Sequence, residues 1–379
     1  MFRSNIYGSF DDDNMNTNTK QDLQLPHGVD LKYESPPGES FLRKNTLLFG
    51  ASNSGKSFMI RDIMYKLRPY IPNVLIICPT ASDNNEYKGY VPDNLVITNM
   101  DKAAVILKDM WLRQKEITSI YNAVNTIESL KPLFDKINIG SSRSEESRIQ
   151  QIRNHHIRNV SIDHSLNASK REGFIKKINA DSDKSLVTLY RDTINGHKST
   201  LERYQLTEEQ KNIVRYLNIN PNILLILDDC AANVNTWIKD KKDPTLRDMF
   251  FTGRHKYITS IHAYQDDKIV GPELRKSAFY TIFTTAETAR CYIRTPNNGL
   301  GNDISNIITV AADHIFKEPD PYNKENKKLL YDRTNVKVTY IIADDHTRFE
   351  FGCKALWNLC KRLPRRCTFN NKNRFITSR

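Results

Sequence analysis

The chain has 379 residues, 26% charged and 39% hydrophobic, ordinary globular composition for one large domain or two small ones. No apolar run approaches the ~20 residues of a membrane helix, and the polar opening "MFRSNIYGSFDDDNMNTNTK" has no apolar stretch of the secretory kind. An excess of Lys and Arg over Asp and Glu gives a formal charge of +12, which favours a polyanionic partner, nucleic acid before membrane. The six cysteines (Cys78, Cys230, Cys291, Cys353, Cys360, Cys367) are scattered through the chain, so free thiols in a reducing, intracellular compartment are expected.

Residues 1–40 are polar, rich in Asn, Asp and Pro, and read as an arm. The core is expected over 41–350. It opens with a buried strand over 46–49 and a helix over 57–67, closed by Pro69 and Pro72. "NVLIICPT" (73–80) is a second strand, apolar throughout, as strands of a parallel sheet covered on both faces are. "DNLVITN" (93–99) is a shorter one. Residues 112–215 are polar and helix-like, too long for a structureless loop in a compact core, and read as an inserted helical subdomain, disordered in part. "NILLILDDC" (222–230) resumes the strands. A helix over 245–255, a strand over 257–265, a helix over 271–278 and a strand over 279–286 follow, and alternation over 337–352 suits an antiparallel pair. The fold expected is therefore α/β with a mostly parallel sheet.

The stretch Gly50-Ala51-Ser52-Asn53-Ser54-Gly55-Lys56-Ser57 is G-x-x-x-x-G-K-S between a strand and a helix. Its glycines let backbone N–H groups wrap phosphates, and the helix N-terminus adds its positive end. Lys56 reaches the β- and γ-phosphates, and the Ser57 hydroxyl ligates Mg²⁺. "ILLILDDC" ends a buried strand in two carboxylates, where ligands of a parallel sheet gather. Asp228 holds Mg²⁺ and Asp229 takes the general-base task; the plain alternative is an Asx turn. Gln265 ends the strand "YITSIHAYQ" and senses the γ-phosphate or orients water, unless it is an ordinary strand-end polar residue. Arg254, before the same strand, is either an arginine finger for a neighbouring subunit or a surface arginine near a helix end.

These residues together resemble the genome-packaging ATPases of nucleocytoplasmic large DNA viruses, the poxvirus-type branch of the FtsK–HerA superfamily. The resemblance rests on "LLFGASNSGKS", "NVLIICPT", "LLILDDC" and "FTGRHKYITSIHAYQ", with the Gly-Arg-His before a strand ending in Gln most diagnostic. It covers 41–111 and 216–300, with weaker likeness beyond. It implies a RecA-like P-loop core, ATP as fuel with Mg²⁺, a homo-oligomeric ring, and translocation of double-stranded viral DNA into a preformed capsid, with a capsid or portal component as partner. It also implies residence in the host-cell cytoplasm at the virus factory, and in the virion. By position it makes Lys56 and Ser57 the phosphate-loop pair, Asp228 the magnesium aspartate, Asp229 the base, Gln265 the sensor and Arg254 the finger. The segment 112–215 departs from the pattern. A helicase or conjugation-type DNA pump shares this core, and a nucleotide-gated capsid-associated protein is the non-enzymatic alternative.

The basic tail, residues 351–379, interleaves Trp357, Phe369 and Phe375 with Lys and Arg and no acid. It suits sequence-independent phosphate contact or is simply solvated. Cys353, Cys360 and Cys367 recur every seven residues without C-x-x-C spacing, so zinc is not expected. His155, His156 and His164 are expected in solvent, and Trp111 and Trp237 in packing.

Overall fold

The uniformly apolar runs become the inner strands of one sheet. In the computed structural model, which describes residues 22–137, 139–265, 270–316, 327–346 and 348–362, the strands are β1 (Leu23–Leu25), β2 (Val29–Leu31), β3 (Asn45–Phe49), β4 (Asn73–Ile77), β5 (Val96–Ile97), β6 (Ile223–Asp228), β7 (Ile258–Tyr264), β8 (Tyr280–Phe283), β9 (Lys327–Asp332) and β10 (Lys337–Ile342). β1 and β2 pair separately, within the segment read as an arm, and the other eight run in the order β10-β9-β8-β3-β7-β6-β4-β5. From β8 to β5 all pairings are parallel, while β9 is antiparallel to both its neighbours. This is an α/β, RecA-like P-loop core with a mostly parallel sheet.

Alternate side chains of each inner strand feed two apolar clusters, one on each face. Leu47, Leu75, Ile77, Leu225 and Leu227 belong to one; Leu48, Val74, Ile76, Leu224 and Ile226 belong to the other. Burial on both faces is the reason these strands carry no polar alternation. Trp111 is buried in the first cluster, and Trp237 packs against it.

Three expected elements differ. The strand over 93–99 shrinks to Val96–Ile97 behind a 3₁₀ turn at Asp93–Leu95, because Pro92 leads into the turn and Asn99 instead caps the next helix, accepting the Lys102 N–H at 3.1 Å. The helix over 245–255 stops at Thr252 and tightens into a 3₁₀ turn, Gly253–Lys256. β10 finds its antiparallel partner in β9, upstream, and not within 337–352. Asp332 makes that hairpin, its carboxylate accepting the Thr334 and Asn335 N–H groups.

Between β5 and β6 the chain is helical: Met100–Val124, Ile127–Ile137, Gly140–Ile162, Ala168–Gly196, Lys198–Leu201 and Glu208–Tyr216. The first of these docks on the sheet through Ala103, Leu107 and Trp111, and its buried Gln114 donates to the Pro221 and Lys256 carbonyls. The rest share a cluster of their own, in which Leu130, Leu133, Phe134 and Ile137 meet Leu186, Tyr190 and Ile194. Glu146 is buried beside it, accepting the Tyr190 hydroxyl and facing Lys131 and Arg143. His155, His156 and His164 are exposed. Buried Phe134 packs at a tilt against Tyr190 with ring centroids 4.5 Å apart, so Phe134→Ala is expected to cost about 3–5 kcal/mol of stability, read by chemical denaturation followed in the far-UV; a change under about 1 kcal/mol would mean that these helices do not pack as described.

Candidate active site

β3 delivers the chain to the carboxyl edge of the sheet at Phe49, opposite Tyr264 of β7 and Phe283 of β8. Gly50 follows, its N–H donating to the Tyr264 carbonyl at 3.1 Å. A Cβ at Gly50 would lie 1.7 Å from Thr284 Oγ1 and 2.4 Å from Ser54 Oγ, so only glycine fits this approach. Asn53 (φ 59) and Gly55 (φ 85) are left-handed and curl the loop back before the helix Lys56–Leu67 begins. Ser54 Oγ donates to the Ala51 carbonyl at 2.7 Å and bonds Thr284 Oγ1. Ser52 and Asn53 are exposed on this loop.

Lys56 is buried, and its Nζ donates to the Gly50 and Ala51 carbonyls at 2.9 and 3.0 Å. A second lysine, Lys328 of β9, reaches the same loop and donates to the Ser54 carbonyl at 2.8 Å. Neither forms an ion pair among the described residues. Ser57 lies in the first turn of the helix, half-buried.

β7 lies between β3 and β6, with Ala263 opposite Asp228. The ends of β6 and β7 therefore set Asp228, Asp229 and Gln265 beside the loop. Asp228 is 2% exposed; its Oδ2 accepts the Tyr87 hydroxyl at 2.7 Å. Burial pushes its carboxyl up to about 7; the Tyr87 bond opposes this, and the charges of Glu86 and Asp229 add to it. Asp229 is left-handed (φ 50), its N–H on the Ala263 carbonyl. Gln265 Nε2 donates to Asp229 Oδ1 at 3.4 Å. The structure thus brings Lys56, Asp228, Asp229 and Gln265 to one edge. Among the described residues no hydrogen bond joins Ser57 to Asp228, whose Oδ2 accepts the Tyr87 hydroxyl.

Arg254 is elsewhere. It precedes β7, whereas Gln265 follows it, and seven residues of strand put about 20 Å between them. Arg254 is exposed, donating to His255 Nε2 at 3.1 Å and lying 5.8 Å from the Phe279 ring.

Four neighbours were not visible in the sequence: Glu86, Tyr87, Thr284 and Lys328. Glu86 follows β4 in a polar stretch without periodicity, yet a carboxylate oxygen of it lies within 4.8 Å of ligand atoms of Asp228 and Cys78. Burial, then the Asp229 charge, pushes its carboxyl upward. Burial and the Asp228 charge hold the Cys78 thiol up at about 12, so it stays protonated and the set offers two carboxylates, hard ligands of the kind Mg²⁺ takes. Trp357 donates to the Phe351 carbonyl at 2.9 Å, and Phe369, Phe375 and Cys367 lie outside the described residues. No helix of the described residues is long and apolar enough to cross a membrane.

No protein-family model matches the chain. It is 29% identical over 368 residues to the uncharacterized protein B354L of African swine fever virus, covering 89% of this chain and 93% of that one. A 71-residue stretch is 37% identical to protein L437 of Acanthamoeba polyphaga mimivirus, 19% of this chain and 24% of the relative. Both of these relatives are viral proteins. Among solved structures it is similar to the genome packaging NTPase B204 of Sulfolobus turreted icosahedral virus 2 in complex with ATP-γ-S (12% identity, TM-score 0.37, 78% of this chain and 95% of that one). It is also similar to the pCW3 conjugation coupling protein TcpA (12%, 0.37, 90% and 71%). The fold assignment rests on the strand order and the loop above.

Gly50→Ala is expected to abolish binding of ATP-γ-S, because its Cβ would displace Thr284 and Ser54 together. Isothermal titration checks this, and affinity within threefold of wild type would mean that the loop does not need this approach.

Proposed function

We propose that this protein is an ATP-hydrolysing motor of the FtsK–HerA kind that drives double-stranded viral DNA into a capsid. The observation that carries the enzymatic part is the Asp229–Gln265 pair beside a G-x-x-x-x-G-K-S loop. The loop fits a nucleotide polyphosphate: two buried lysines line it without an ion-pair partner among the described residues, and left-handed Asn53 and Gly55 curl it ahead of a helix N-terminus.

Residues 50–57 bind the phosphates, and Lys56 exchanges its loop carbonyls for the β- and γ-phosphates. Ser57 and Asp228, with Glu86 adjacent, would hold Mg²⁺. The ion would neutralise charge on the β- and γ-oxygens. Gln265 orients a water and Asp229 takes its proton as the water oxygen bonds to the γ-phosphorus and the bond to the bridging β–γ oxygen breaks, leaving ADP and phosphate.

Arg254 is too far from its own site to serve it. A finger role therefore needs a neighbouring subunit, which is the case for a homo-oligomeric ring. The formal charge of +12 favours backbone contact with DNA irrespective of sequence. A capsid or portal component is the partner that would turn translocation into packaging, at cytoplasmic sites of assembly.

Steady-state ATP hydrolysis by the purified chain is expected to rise with long duplex DNA more than with single strands and to vanish in Lys56→Ala. Asp229→Asn should cut turnover by about 10²–10⁴-fold and leave ATP-γ-S affinity near wild type; retained turnover would move the base elsewhere, Glu86 first. Stimulation by single strands alone would point to a helicase, and turnover indifferent to any DNA would remove the motor reading. Arg254→Ala should lower turnover by about 10³-fold or more. Mixing it with Lys56→Ala subunits should restore part of the activity, since each mutant supplies what the other lacks at shared interfaces; no restoration would argue against a finger in trans.

A further inference from the structure

Lys328 is the second residue of β9 and is 4% exposed. Because β9 runs antiparallel to β8, its beginning lies at the carboxyl edge of the parallel strands. Leu329 faces Phe283, the last residue of β8, which puts Lys328 beside Thr284 and the phosphate loop. Its Nζ donates to the Ser54 carbonyl, between left-handed Asn53 and Gly55. No carboxylate pairs with it among the described residues, and burial alone draws the ammonium's pKa down to about 8.

A buried cation with no counter-ion is destabilising, and an apolar side chain would fill the same stem space without that cost. Lys56 satisfies the other side of the loop turn, at Gly50 and Ala51, and is the lysine the motif sends to the phosphates. With Lys56 gone to the phosphates, Lys328 is the cation that still braces the loop. A Ser54 carbonyl released from it would be free to turn toward the phosphate oxygens and repel them.

We propose that Lys328 is a positioning residue of the nucleotide site, which holds the Ser54 carbonyl out of the phosphate cradle and has its charge compensated by the bound polyphosphate. The inference rests on the reading of residues 50–57 as an ATP site.

The test titrates the full chain and Lys328→Met with ATP-γ-S and with ADP, both with Mg²⁺, by calorimetry, alongside melting of the nucleotide-free proteins. Lys328→Met should bind ATP-γ-S about tenfold to a hundredfold more weakly, the size of one lost charge-assisted hydrogen bond. ADP should lose less, because it carries less charge. Lys328→Gln separates the two contributions and carries the test if the methionine variant does not fold. Its amide keeps a donor on the same side of the loop but brings no charge, so its preference for ATP-γ-S over ADP should fall. A folded glutamine variant with wild-type preference overturns the charge role. A methionine variant within twofold of wild type, or one losing both nucleotides equally in step with its melting temperature, overturns the inference as a whole. Wild-type protein that binds no ATP-γ-S brings down the ATP reading itself, and Lys328 with it; wild-type binding lost in Lys56→Ala but unchanged in Lys328→Met brings down Lys328 alone.

Discussion

The pairing of β3 with β7 is the constraint from which the site follows. It puts Phe49 opposite Tyr264, so the loop leaves the sheet where β7 ends, and β6 on the far side of β7 brings its carboxylates to the same edge. A slip of one residue would move every side chain to the other face. Apolar strands alone specify such a register weakly, because Leu and Ile fit both faces. A buried polar seam fixes it. Asn45 sits opposite Ser260 in the ladder, accepts its hydroxyl at 2.7 Å, and donates to the Phe250 carbonyl at 2.6 Å. His262 bonds Ser260 on one ring nitrogen and Tyr264 on the other, and burial pulls its pKa down to about 3, so it is neutral. The His262 bonds lie within β7, but another register would break the Asn45–Ser260 bond between the strands, at about 1–3 kcal/mol for each buried group left unpaired.

At the edge so defined, charge is segregated. Lys56 and Lys328 stand on the loop, and Asp228, Asp229 and Glu86 stand across from it on strand ends and the segment after β4. Neither set neutralises the other through an ion pair: the lysines take carbonyls, and Asp228 takes the Tyr87 hydroxyl. The upward pressure on Asp228 and Glu86 comes first from burial and then from neighbouring carboxylates. Such an arrangement is what a polyanion bound with a divalent cation would resolve, the anion on the lysine side and the cation on the carboxylate side.

What the sequence made legible was whatever is written in a continuous local pattern. β4 and β6 are almost wholly apolar, and β3, β7 and β8 mostly so, because both faces are covered, and the loop's spelling follows from its turn. Asp228, Asp229 and Gln265 were readable as strand-end polar residues, and the ladder brings them together. Glu86, Tyr87 and Lys328 were not readable, for a common reason: each is placed by pairing distant in the chain. Lys328 is one of two consecutive lysines ahead of a short apolar run, and only the antiparallel return of β9 along β8 carries it to Ser54, 274 positions away. β5 was overestimated because a run of strand-like residues is silent about the cap that ends it at Asn99.

β7 also gives the proposed ring a means of coupling. Its two ends carry Gln265 and Arg254, the first beside the chain's own phosphate loop and the second exposed at the opposite edge. All seven of its residues are buried, and it is paired along both sides, to β3 and to β6. A strand held in that way moves as a body with the sheet and does not bend. In the ring proposed above, a change felt at Gln265 would reach the other end of β7 through the sheet to which the strand is paired on both sides. Arg254 stands at the exposed end. In the ring we propose, that end faces the neighbouring site, so one subunit's hydrolysis would bear on the next through rigid geometry, with the polar seam between β3 and β7 keeping the two ends in fixed relation.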